Sequence, residues 1–97
     1  MNRAIVGVCT LELQIEESNS LKDKRSVLKS LLARLSQVHH LAAAEIDLHD
    51  RPQEAIIAFA AVSNSSRQID QMLRAAVRWI EQQYPQAEIM GEQLEIL

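Results

Sequence analysis

Strict alternation from Ile5 to Ile15 runs almost directly into a capped amphipathic segment, Ser20 to Leu35. The odd positions Ile5, Gly7, Cys9, Leu11, Leu13 and Ile15 are more apolar than the even positions Ala4, Val6, Val8, Thr10, Glu12 and Gln14. That period of two marks a strand with one buried face. Ser20 offers a side-chain oxygen to cap a helix, and Asp23, at the third helical position, makes a weaker form of the capping box. Val27, Leu28, Leu31, Leu32, Leu35 and Val38 then recur on one helical face. A strand joined this closely to a helix with an apolar stripe needs more sheet on which to bury that stripe.

The rest of the chain supplies it. A second strand is expected from Ala42 to Leu48, with Ala42, Ala44, Ile46 and Leu48 inward and Glu45, Asp47 and His49 opposite. Asp50 to Gln53 reads as a turn. The third strand, Glu54 to Val62, is apolar on both sides, as expected of a central strand covered on both faces. Ser65, followed by Gln68, is the expected cap of a second helix. Ile69, Met72, Leu73, Ala76 and Ile80 line its inner face, and Pro85 ends it. The last strand spans Glu88 to Ile96, and its parity slips near Gly91, as at a bulge. The order βαββαβ predicts a ferredoxin-like α+β sandwich: a four-stranded antiparallel sheet with both helices on one face. No linker or repeat divides residues 1–97, so one domain is expected.

Several chemistries are excluded. Phe59, Trp79 and Tyr84 are the only aromatics, so the core must be aliphatic. Cys9 has no second cysteine to pair with, and its place among leucines reads as a buried, inert thiol. There is no glycine-rich phosphate loop and no cysteine pair for zinc. Stacking of RNA bases on the sheet would need strand aromatics, of which Phe59 is the only one. No cofactor is expected. No apolar run approaches the roughly 20 residues of a membrane span, and no signal peptide is apparent. A soluble, cytoplasmic protein with no membrane partner is expected.

Net charge is −3, but it is unevenly spread. Lys22, Lys24, Arg25, Lys29 and Arg34 lie within one short stretch that contains a single acid, Asp23. Lys22, Arg25 and Lys29 are spaced to share one face of the first helix; Arg67, Arg74 and Arg78 share one face of the second. Together they are candidate contacts for RNA phosphates. The plainer explanation is that helices turn Lys and Arg to water, interrupted here by Asp23, Asp70 and Glu81. Glu45, Asp47 and His49, alternating on one strand, are the candidate metal ligands, set against an edge strand that carries charge to resist aggregation. His39 and His40 are expected to complement the helix dipole at a C-terminus.

The segments IVGVCTLELQI (5–15), SLKDKRSVLKSL (20–31), AEIDLHD (44–50), AVSNSS (61–66) and PQAEI (85–89) resemble the YlxP-like family, a bacterial domain of unknown function. The SLK-x-KR-x-VLKSL block is the specific part. The resemblance implies the ferredoxin-like fold. Through the family's gene neighbours, translation initiation factor two and ribosome-binding factor A, it also implies a link to ribosome assembly or translation. It implies no catalytic residue.

Two helices can cover only one sheet face, so an apolar patch is left over. Val6, Val8, Ile57 and Phe59 are its expected members, and a homodimer through them is the first structural inference. The function reading is a non-enzymatic binding protein associated with RNA or a ribosomal particle. The competing class is an enzyme, or a small-ligand or metal-binding domain, using the acidic strand at a dimer seam.

Overall fold

The computed structural model describes residues 3–97. The elements are β1 (Ile5–Gln14), α1 (Leu21–His39), β2 (Ala42–Asp47), β3 (Glu54–Ser63), α2 (Ser66–Gln83) and β4 (Glu88–Ile96). The sheet is antiparallel in the order β2-β3-β1-β4, with both helices on one face. This is the ferredoxin-like arrangement that the element order predicts.

Each helix starts where its cap stands. Ser20 Oγ accepts from Asp23 N at 3.1 Å, and Asp23 Oδ2 accepts in return from Asn19 N at 3.1 Å. Ser65 Oγ accepts from Gln68 N at 3.2 Å. Leu28, Leu31 and Leu35 of α1 are buried, as are Ile69, Leu73, Ala76, Val77 and Ile80 of α2. Val38, read as part of the α1 stripe, is 53% exposed, because it falls in the last turn, beyond the sheet's cover. α1 lies against β2, and α2 lies across β1, β3 and β4. A methyl group added at Gly7 would collide with Ile69 and crowd Leu73, so a side chain there would push α2 away from β1.

The slip in β4 is a bulge: Glu12 pairs with Gly91 but Leu13 with Ile89, leaving Met90 as the extra residue. A second bulge lies in β2, where Glu45 pairs with Ile57 but Asp47 with Ile56.

Candidate nucleic-acid interface and open sheet face

Lys24, counted in the basic run of α1 but given no role from the sequence, is the residue whose part sequence reasoning missed. It is fully buried. Its ammonium donates to the carbonyls of Leu48 (2.8 Å), Glu54 (3.1 Å) and His49 (3.3 Å), using all three protons. Glu45 Oε2 lies 3.1 Å away but off the hydrogen-bonding direction, so it serves as a counter-charge. The Leu48 carbonyl is presented by a left-handed backbone (φ 62°), which costs a non-glycine residue about 1–2 kcal/mol. Asp47 Oδ1, accepting from Leu48 N at 2.7 Å, helps to hold that conformation. Lys24 therefore fastens α1 to the β2–β3 turn.

The basic candidates remain on the surface. Lys22, Arg25, Lys29, Arg67, Arg74 and Arg78 are all exposed. Arg74 is engaged by Asp70, its Nε lying 3.0 and 3.1 Å from the two carboxylate oxygens. Among the described residues no acid lies within ion-pair distance of Lys22, Arg25 or Lys29. The helices meet where the Arg34 guanidinium sits 5.0 Å from the Trp79 ring and 5.7 Å from the Tyr84 ring. Ser30 and Tyr84 share a 2.7 Å hydroxyl contact at the same seam. At about 100° per residue, Lys22, Arg25 and Lys29 lie roughly 120–180° round α1 from Arg34. Arg67, Arg74 and Arg78 lie roughly 100–140° round α2 from Trp79. On this spacing one stripe turns towards the β2 flank and the other towards the β4 flank.

The acidic strand is not assembled as a site. The β2 bulge breaks the alternation, so Glu45 turns under the helices to Lys24 while Asp47 pairs opposite outward-facing Ile56. His49 lies beyond the strand, in the turn. Among the described residues no three His, Cys, Asp or Glu side chains gather to hold a metal. The register with β3, ahead of the bulge, gives β2 the parity opposite to that expected: Ala43 and Glu45 pair with buried Phe59 and Ile57 and face the helices, while Ala42, Ala44 and Ile46 are exposed.

His39 stands in the last turn of α1 and His40 at its C-cap, as expected of the pair. The His39 ring lies edge-on to Trp79 at 5.0 Å, with Nε2 buried and unpartnered. Burial first, then neighbouring His40, lowers its pKa, which favours the neutral ring. Cys9 is fully buried. Burial, assisted by Glu92 and opposed by Arg74, pushes its thiol up to about 11. A thiol so raised is a poor nucleophile.

The open sheet face needs a correction. Ile57 and Phe59, expected on it, are 0% and 1% exposed. They pair with Leu11 and Cys9, and cross-strand partners share a face, so they belong to the helix-covered side. The open face carries Ile56, Ala58, Ala60 and Val62 of β3, with Val6 and Val8 of β1 as expected, and Ala42 and Ala44 of β2. A shallow dent of about 220 Å³ lies among Val8, Ala42–Ala44 and Ala58–Ala60. On the same face Val62 is 66% exposed.

No helix among the described residues is long and apolar enough to cross a membrane. Residues 6–93 match the model of a family described as "Protein of unknown function (DUF503)". The chain is 32% identical over 84 residues to the uncharacterized protein YlxP of Bacillus subtilis (strain 168), covering 87% of this chain and 90% of that protein. Among solved structures, the de novo designed protein Foldit4 superposes with a TM-score of 0.55 at 12% identity, over 98% of this chain and 97% of the design, a likeness of fold alone.

Proposed function

We propose, for a chain that belongs to the DUF503 family, a non-enzymatic binding function: recognition of RNA, as on a ribosomal particle, through the outward flank of α1. One observation carries the reading: Lys22, Arg25 and Lys29 stand exposed on one helical flank with no acid within ion-pair distance among the described residues. Cations placed this way meet phosphates without a competing internal partner, and they release counterions when they do. The gene neighbourhood implied by the YlxP-like resemblance points the same way. The protein is taken to act in the cytoplasm and as a homodimer through its open sheet face, which is too apolar to be left to water.

The test is fluorescence anisotropy with a labelled ribosomal RNA fragment across a salt series. Three phosphate contacts on a single strand give a slope of log K against log salt of about −2. The triple variant Lys22→Glu, Arg25→Glu, Lys29→Glu should lose binding while keeping its circular dichroism. The triple variant Arg67→Glu, Arg74→Glu, Arg78→Glu, altered on the other flank, should lose less. Undiminished binding by the α1 variant would remove the α1 flank as the RNA contact.

A further inference from the structure

Resting on the homodimer reading above, we infer that the two-fold axis of the dimer runs along β3, laying β1 of each copy over β2 of the other and leaving both β4 strands outside the contact. The registers carry this. Across the open face, one row reads Ala42, Ala60, Val8, Glu95 from β2 to β4. The next reads Ala44, Ala58, Thr10, Gln93. β2 is a trough of alanines, β1 is a ridge of larger side chains, and β3 between them is apolar and small in both rows.

A two-fold contact must be complementary to itself. An axis along β3 exchanges β1 with β2, so Val8 and Thr10 of one copy settle over Ala42 and Ala44 of the other. Large side chains then meet small ones across the interface. The alanine dent of about 220 Å³ is of the order that takes one apolar group, since a cavity of about 150 Å³ holds a benzene.

Charge disfavours the other orientation at the centre of the patch. The open side of β4 carries Glu95 and Gln93, and adjoining β1 carries Glu12. An axis across the strands would stack β4 on β4 and bring Glu95 towards its own copy in a contact that excludes water. An axis along β3 carries the β4 residues past the edge of the partner's β2 into solvent; the acids it does bring together are Glu12 of one copy and Asp47 of the other, both in the Ile56 row at the end of the patch. RNA is disfavoured on this face for the same reason, since no Lys or Arg lies along these rows.

The overlap is modest. Three strands about 4.8 Å apart and seven residues of about 3.4 Å make a patch of roughly 14 by 24 Å per copy. At about 340 Å² per copy that is below the roughly 600 Å² per partner of a standard specific interface, so the dimer is a weak one that forms only towards high micromolar concentration.

Sedimentation velocity and cross-linking with a short bis-maleimide test the inference. The native thiol is silent because Cys9 is buried. Wild type should show a concentration-dependent dimer. Ala60→Asp should be a folded monomer. Ala60→Cys, close to the axis, should cross-link to its own copy. A mixture of Val8→Cys and Ala42→Cys chains should cross-link between the two types, and Glu95→Cys should not cross-link. A dimer that links through Glu95→Cys but not through Ala60→Cys overturns the axis while leaving the homodimer standing. A wild type that stays monomeric at high micromolar concentration overturns both, and leaves the RNA-binding result on α1 unaffected.

Discussion

β3 presents two faces of nearly equal hydrophobicity, and they have opposite fates. Ala55, Ile57, Phe59 and Ala61 lie under the helices, while Ile56, Ala58, Ala60 and Val62 line the open side. The difference is size. The covered face places its two largest side chains, Ile57 and Phe59, against Leu11 and Cys9. The open face is flattened by alanines at its centre. A covered face has to fill volume, whereas an open face that receives another sheet has to be smooth enough for two backbones to approach. Hydrophobicity alone does not distinguish the two tasks, but side-chain volume does.

The contrast breaks most readily at its largest residue. Phe59→Ala should destabilise the domain by about 3–5 kcal/mol in a denaturant titration, through lost burial and a residual cavity. Val62→Ala, on the same strand but facing out, should change stability by no more than about 0.5 kcal/mol at concentrations where the protein is monomeric. Equal losses would mean that the open face is as tightly packed within the monomer as the covered one.

Lys24 sharpens the comparison from the polar side. Lys24→Met should cost about 3 kcal/mol, because it strands three carbonyls and leaves Glu45 without its cation. Adding Glu45→Gln should recover only part of that loss, since the carbonyls stay bare. Full recovery would show that the ion pair matters and the carbonyls do not.

Cys9→Ala is a gentler change to the covered face. It should cost about 1 kcal/mol by loss of packed volume. Wild-type Cys9 should resist thiol reagents in the native state and react only on unfolding.

The smallest effect belongs to the seam between the helices. The His39 pKa is lowered in the fold, so the unfolded chain binds its proton more tightly. The stability it contributes is complete above its ordinary value of 6.5 and is lost as pH falls below that, towards the folded value. His39→Gln should remove that part of the pH dependence, seen as a flatter midpoint between neutral and mildly acid solution.

Much of this was legible in the sequence, for reasons tied to particular residues. β1 alternates cleanly, so its buried face follows from parity. Ser20 and Ser65 mark helix starts because their side chains compete for the first free amides. The parity slip near Gly91 marks a bulge, which the pairing of Leu13 with Ile89 bears out. The failures share a cause. β3 has no polar side, so parity could not say whether Ile57 or Ile56 faces the helices; only its register with β1 decides. β2 carries a bulge with no glycine to announce it, so Glu45 and Asp47 part company. Lys24 counts as one more charge of the basic run, because its partners are backbone carbonyls 24 to 30 residues away, which no side-chain pattern records.

The Lys24 fastening also bears on the order of assembly. Its three acceptors converge only once the β2–β3 turn has closed and Leu48 has taken its left-handed backbone. Until α1 is docked, the ammonium keeps its hydration, and shedding it early would bring no return. The contact therefore belongs after the folding transition state, where native interactions slow escape from the folded state without hastening entry. On that argument Lys24 acts as a latch: its loss would show in stopped-flow traces as faster unfolding with the refolding limb unmoved. The lifetime of the folded chain would then be governed by one side chain anchored at the β2–β3 turn.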